Sequence, residues 1–378
     1  MQIIPIASGK GGVGKSLISA NLAIALGKAG KKVILADLDL GASNLHLVIG
    51  QQAPKAGLGT FLTGQSKFED IILQTEYENV SFIPGDSEIP GLSLLKSEQK
   101  SQIIKKFQQF NADYLIIDLG AGTHLNILDF FLLSPQGIIV TSPTVTATLN
   151  AYLFLKNAVF RLMYNSFPKK SPAYQFLENL KKDASSLQKM YIPKLIEAIS
   201  EIDPTNAKIF QHRMEQFRPR LIMNMINDPK DTDKTLKIRR SCKEYLGIDL
   251  EYLGVIYRDS MQDVALSSRL PIIVYKPQSI VSQAIFRLSD KILLSQEAQF
   301  ENIDSIIQAS YDNAENEAQE DFEAKLSYVE DLIGTGALSL SDLAETIKSQ
   351  QFEINHLKKE NNLLKSKILK AHEQGFII

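Results

Sequence analysis

The chain has 378 residues, 44% of them hydrophobic, with 41 basic and 43 acidic residues for a net charge of −2, and a single cysteine, Cys242. That length and apolar content leave room for one large domain plus a smaller part and exclude a disordered chain. The near-neutral balance leaves any attraction to nucleic acid or anionic lipid to a local patch, and one cysteine excludes an intrachain disulfide or cysteine-pair metal site.

Met1-Gln2-Ile3-Ile4-Pro5-Ile6 reads as a first strand, because it has neither a basic start nor a long apolar region. No run of about 18 apolar residues occurs, so membrane contact is expected to be peripheral and a reducing cytoplasm fits best. Short apolar runs recur at Ile3 to Ser8, Lys32 to Asp37, Val80 to Pro84, Tyr114 to Leu119, Gly137 to Ser142, Leu221 to Asn224 and Tyr252 to Tyr257, each flanked by a longer helical stretch. Their Ile, Val and Leu content without polar alternation predicts strands covered on both faces, hence an α/β, doubly wound, mostly parallel sheet.

Within the first run's turn, Gly9-Lys10-Gly11-Gly12-Val13-Gly14-Lys15-Ser16 fits G-x-x-x-x-G-K-S and precedes the apolar-periodic helix Leu17 to Ala29. This is the P-loop context. Glycines let backbone N–H groups face phosphates, and the helix adds its positive end. Lys15 is then expected to reach the β and γ phosphates, and Ser16 to place its hydroxyl on magnesium. Lys10 departs from an ordinary P-loop, since a second lysine has no room to serve the same phosphates from the same side. In Tyr114-Leu115-Ile116-Ile117-Asp118-Leu119-Gly120-Ala121-Gly122 an apolar strand delivers Asp118 where a Walker B carboxylate stands, and Gly120 and Gly122 suit a mobile switch loop.

Further along, 157–218 has helical spacing but no strand run and reads as a helical insertion. Lys234, Lys237, Arg239, Arg240 and Lys243 form a basic cluster without interleaved aromatics. Composition shifts after Ser295: between Glu297 and Asp331 eleven acidic residues face the single Lys325, which suggests an acidic, solvated helix that Gly334-Thr335-Gly336 interrupts. A heptad follows, with Leu340, Ile347, Ile354, Asn361 and Ile368 at a and Leu343, Gln350, Leu357, Leu364 and Ala371 at d. Eight apolar positions of ten describe a coiled coil, and the single a-position Asn favours a parallel, in-register dimer. The expected organisation is a P-loop domain over 1–295, an acidic helical linker over 296–337 and a coiled coil over 338–374.

The segment Gly9 to Ser16 with its second lysine resembles the deviant Walker A of the MinD/ParA P-loop ATPases. The likeness extends over residues 1–295 and is nearest the MinD/FlhG branch, by Gly41-Ala42-Ser43-Asn44-Leu45 and the helical insertion. It implies that ATP with magnesium is bound by Gly9 through Ser16 and Leu17, and that Lys10 crosses a dimer interface to the partner's ATP. In Leu35-Ala36-Asp37-Leu38-Asp39-Leu40-Gly41, the likeness makes Asp39 orient the attacking water and Asp37 support the magnesium shell beside Ser16 and Asp118. Leu221-Ile222-Met223-Asn224 resembles the strand whose terminal Asn reads adenine, with Met225 where arginine usually follows. Tyr257 stands for a usual proline, and Thr144 and Asn150 for usual acidic residues. The implied function is a slow ATPase in which Lys10, Lys15 and Asp39 are catalytic, working as a homodimer whose hydrolysis another protein stimulates. Such a switch would govern division-site or flagellar positioning from the cytoplasm, at the periphery of membrane or nucleoid. The alternatives are a DNA-associated partition ATPase of the ParA kind and a coiled-coil interaction protein regulated by nucleotide.

Overall fold

A computed structural model describes residues 1–40, 43–85, 95–182, 191–295, 303–335, 347, 348 and 351. Most of the heptad segment 338–374 therefore lies outside the described residues, as do Gly41 and Ala42. The chain forms two compact units, Met1–Asp321 and Phe322–Ile378.

The first unit is built on one eight-stranded sheet: β1 (Gln2–Ser8), β2 (Val33–Leu38), β3 (Leu73–Gln74), β4 (Val80–Ile83), β5 (Tyr114–Ala121), β6 (Ile138–Thr141), β7 (Arg220–Ile226) and β8 (Glu251–Tyr257). Their order is β3-β4-β2-β5-β1-β6-β7-β8, and only the β3–β4 pair is antiparallel. Each expected strand run is a strand. The two-residue β3 was not legible, because so short an edge strand has no apolar run to mark it.

Helix α1 (Lys15–Lys28) and the helix Ile280–Leu294 cover one sheet face. Ile18, Leu22, Ile285 and Leu288 join alternate strand residues Ile4, Ile6, Leu35, Ile116 and Ile222 in one buried cluster. The intervening strand residues Leu115, Ile117, Ile139 and Leu221 are equally buried on the opposite face. There the long helix α6 (Val145–Ser166) packs Phe154 edge-on against Phe131 at 5.0 Å. Burial on both faces explains why the strands read as unbroken apolar runs. The helical insertion consists of the rest of α6, then Pro172–Lys182, Ile192–Ile202 and Pro204–Gln216.

The compositional change after Ser295 is not a packing boundary, since the first unit runs to Asp321. The helix Ile303–Gly334 buries Ile307, Tyr311, Ala314 and Ala318. Its docked part lies along β8, the last strand of the sheet. Ser310 Oγ accepts from Tyr252 N at 3.1 Å, Tyr257 donates its hydroxyl to Ala318 O at 2.8 Å, and Tyr311 donates to Leu250 O at 3.1 Å. Lys291–Glu317 at 2.6 Å and Arg287–Asp321 at 2.5 Å pin the acidic face to the helix Ile280–Leu294. An open strand edge invites pairing with other chains, and this helix covers it. A chain ended at residue 295 should therefore unfold at a lower temperature and scatter more light than one ended at 335; coincident melting curves without aggregation would remove this role from the helix.

Candidate functional site

The P-loop joins β1 to α1 at the carboxyl ends of the central strands, where ligands sit in open α/β sheets. Gly12 and Gly14 have φ of 78° and 85°, a region other residues enter at a cost. Gly14 is also the N-cap of α1, and no side chain caps it, so the helix start presents backbone N–H groups. A Cβ on Gly9 would lie 2.1 Å from Asn150 O, and one on Gly14 would lie 2.2 Å from Asn224 Nδ2. Space requires glycine at position 9, and space together with φ requires it at position 14.

Behind the loop, Asp37 and Asp118 stand opposite each other in the β2–β5 register, and both are buried. Asp118 accepts from three side chains of one helix: Lys15 Nζ at 2.9 Å, Ser16 Oγ at 2.6 Å and Ser19 Oγ at 2.7 Å. Asp37 accepts from the backbone N–H of Asp39 at 3.0 Å and of Leu45 at 3.3 Å. Burial, and next the Asp118 charge, push Asp37 up to about 7, against the lowering effects of Ser43, the Asp39 N–H and Lys15. Ser43 Oγ lies 2.7 Å from Asp37 Oδ2 and 2.9 Å from Gly85 O. A hydroxyl carries one proton, so both contacts are hydrogen bonds at once when protonated Asp37 donates to Ser43 and Ser43 donates to Gly85 O.

That arrangement has a consequence for stability. The folded value of Asp37 exceeds that of an unfolded carboxylate, so its contribution favours folding at low pH and is lost as pH rises through about 7. Without magnesium, the melting temperature should fall between pH 5 and pH 8, and Asp37→Asn should flatten that fall. An unchanged slope in the variant would show that another group sets it.

Lys10 stays out of this buried cluster. It is exposed, and its Nζ donates to Thr146 Oγ1 at 3.2 Å, on the first turn of α6. Thr144, in the position of a usual acidic residue, is the N-cap of α6 and accepts from Ala147 N at 3.3 Å. Threonine caps a helix much as aspartate does, without the charge. The side chain of Asp39 lies beside Gly120, and a cavity of about 360 Å³ opens next to both, lined also by His124, Asn126 and Phe130. Asn224 is buried, and its amide donates to Val13 O in the P-loop at 2.8 Å. Met225 after it has φ of 61°, an uncommon conformation for a non-glycine residue.

Residues 4–272 match the family described as the CobQ/CobB/MinD/ParA nucleotide binding domain. The chain belongs to this family. It is similar to the antiactivator FleN of Pseudomonas aeruginosa, 24% identical over 295 residues that make up 77% of this chain and 86% of that protein. It is also similar to the flagellum site-determining protein YlxH of Helicobacter pylori, 38% identical over 160 residues, 41% of this chain and 53% of that protein. The chain thus spans about half the length of the Helicobacter pylori relative. Among solved structures, the septum site-determining protein MinD of Pyrococcus horikoshii complexed with Mg-ADP shares the fold, with a TM-score of 0.53 and 24% identity over 79% of this chain and 99% of that one.

For a nucleotide-binding domain of this family the residues present suit a magnesium nucleotide. Once Asp37 gives up its proton, two facing buried carboxylates stand against one lysine, an excess of negative charge that a divalent ion would neutralise, and the uncapped helix start faces the side where phosphates would lie. Two carboxylates and a serine hydroxyl do not cage an ion alone, which matches the habit of magnesium of keeping waters and phosphate oxygens. The structure brings Lys15, Ser16, Asp37 and Asp118 together. Sequence reasoning missed Ser19 and Ser43. Ser19 is four residues after Lys15 on the same helix face, a spacing that could have found it; Ser43 bonds Asp37 from six positions on, a spacing that no periodicity marks.

The basic cluster is largely engaged within the protein. Lys234 pairs with Asp231 at 2.7 Å, Lys243 with Asp249 at 2.6 Å, and Arg239 lies 4.5 Å over the ring of Tyr311. Local neutralisation of this kind weakens the field that would attract nucleic acid. No described helix is long and apolar enough to cross a membrane.

Proposed function

We propose that the chain is an ATP-hydrolysing dimerisation switch of the MinD/FlhG kind, regulating the placement or assembly of a cellular structure such as the division site or flagellum. The observation that carries this reading is the second P-loop lysine, Lys10, exposed at the rim of the site and bonded only by way of Thr146 among the contacts described above. Its position suits an ammonium that serves the nucleotide of a second copy. The 86% coverage of FleN, insertion included, supports the flagellar branch of the reading.

In this reading Gly9 through Leu17 cradle the phosphates, and Lys15 leaves Asp118 to meet them. Ser16, Asp37 and Asp118 would hold magnesium, which would supply positive charge against the phosphoryl oxygens. Asp39 orients the attacking water, since its carboxylate borders the cavity beside Gly120. Asn224 fixes the loop through Val13 and stands near the base. Lys10 of one copy stabilises charge in the site of the other, so that turnover depends on association, and a further protein stimulates it. The protein acts from the cytoplasm, in contact with membrane or nucleoid through its partner.

The test is the mass in solution of a 1–321 chain with ATP, with ADP and without nucleotide, with Asp39→Ala used to slow hydrolysis. A dimer with ATP alone is the expected result. A mass that ignores nucleotide ends the switch reading.

A further inference from the structure

The helix Ile303–Gly334 changes its apolar face where the first compact unit gives way to the second, between Asp321 and Phe322. In the docked part the buried residues are Ile307, Tyr311, Ala314 and Ala318. The positions one residue later, Gln308, Asp312, Glu315 and Gln319, are all polar. Beyond the boundary this second set continues as Phe322, Leu326, Val329 and Ile333, all apolar. The docked set continues as Asp321, Lys325, Tyr328 and Leu332, a mixed series. Leu326 and Ile333 are 49% and 42% exposed. The apolar stripe has stepped by one residue in phase along the helix.

The new stripe has the 4-3-4 spacing of heptad positions d, a, d, a. Its register is that of the later heptad: seven residues separate Ile333 from Leu340 at a, and twice seven separate Val329 from Leu343 at d, with Gly336 at the d position between. Two stretches of a random polar chain have no reason to share a phase across a glycine break. The flanking charges specify the occupant and its direction. In a parallel pair each g residue faces the e residue of the next heptad in the other helix. In sequence, Lys325 at g is followed by Glu330 at the next e, and the later heptad has Glu353 with Lys358 and Glu360 with Lys365 at the same positions, opposite signs in each case.

We infer that Phe322, Leu326, Val329 and Ile333 open a parallel, in-register seam with a second copy of this chain, which holds two chains together whether or not nucleotide is bound. The seam goes beyond the nucleotide-dependent association proposed above and does not depend on it. It joins the two chains, so the encounter of their ATPase units becomes intramolecular.

Cys242 is the chain's single cysteine and is buried, so one engineered cysteine reports on the seam. In the full chain without nucleotide, Val329→Cys at d should form a chain-to-chain disulfide under mild oxidation at least about tenfold faster than Asp331→Cys on the outer face. The pair Leu326→Glu with Ile333→Glu should weaken nucleotide-free self-association by at least about tenfold. Equal cross-linking at the two sites, or a full chain that is monomeric without nucleotide, overturns the inference. A nucleotide-free dimer indifferent to the two glutamates overturns it equally, assigning the stripe to another occupant. None of these results bears on whether the 1–321 chain dimerises with ATP, so failure of the seam and failure of the switch are distinguishable.

Discussion

Lys10→Ala should lower ATP turnover by roughly a thousandfold, the lower end of what a charge supplied in trans to a phosphoryl group contributes, while nucleotide binding by a single chain stays near that of the parent. The asymmetry follows from position. Lys10 is exposed and its described bond is to Thr146, so removing it costs the fold little, within about 1 kcal/mol for a surface contact. Lys15 is buried against Asp118 and already supplies the positive charge of its own loop. The loss should therefore appear in steps that need two copies: the mass of the 1–321 chain with ATP, and turnover that rises with concentration. A variant whose turnover stays within about threefold of the parent would make Lys10 a loop residue of no catalytic account.

The parts of this site that were legible in the sequence are those fixed by short-range rules. A strand, a glycine loop with Lys15 and Ser16, and a helix must follow in that order for phosphate binding, so Gly9 to Ser16 announced the site. Asp118 ends a buried apolar strand, and its placement beside Lys15 follows from the central positions of β1 and β5. What the sequence could not convey were contacts between distant segments. The amide of Asn224 braces Val13 across 211 positions, and Asn150 backbone closes on Gly9. The acidic stretch after Ser295 misled for a related reason: its charges suggested a solvated linker, yet Glu317 and Asp321 pair with Lys291 and Arg287, which lie on another helix. Composition records that a segment is charged; only the fold shows whether its partners are water or protein.

Asp118→Ala and Asp118→Asn should differ in a way that tests how the empty site is held together. Alanine leaves Lys15, 7% exposed, as a buried charge without its carboxylate, and strips Ser16 of its acceptor, while Ser19 keeps the Lys15 carbonyl. Breaking a buried pair from one side typically costs about 3–5 kcal/mol, and the nucleotide-free chain should lose that much in denaturant titrations. Combining Lys15→Met with Asp118→Ala should recover part of the loss, because the stranded charge is gone; a coupling energy below about 0.5 kcal/mol would show that the two residues act independently. Asparagine keeps one acceptor oxygen where Asp118 offers Oδ2 to Ser16 and Oδ1 to Ser19 and Lys15, and it carries no charge for Lys15. The ammonium then no longer has to leave an ion pair to reach phosphate, so Asp118→Asn should bind nucleotide more tightly than the parent in the absence of magnesium, yet gain less when magnesium is added. Opposite signs in the two titrations follow only if one carboxylate both restrains Lys15 and holds the ion. If Asp118→Asn weakens binding equally with and without magnesium, Asp118 supports the loop's shape and the ion is held elsewhere.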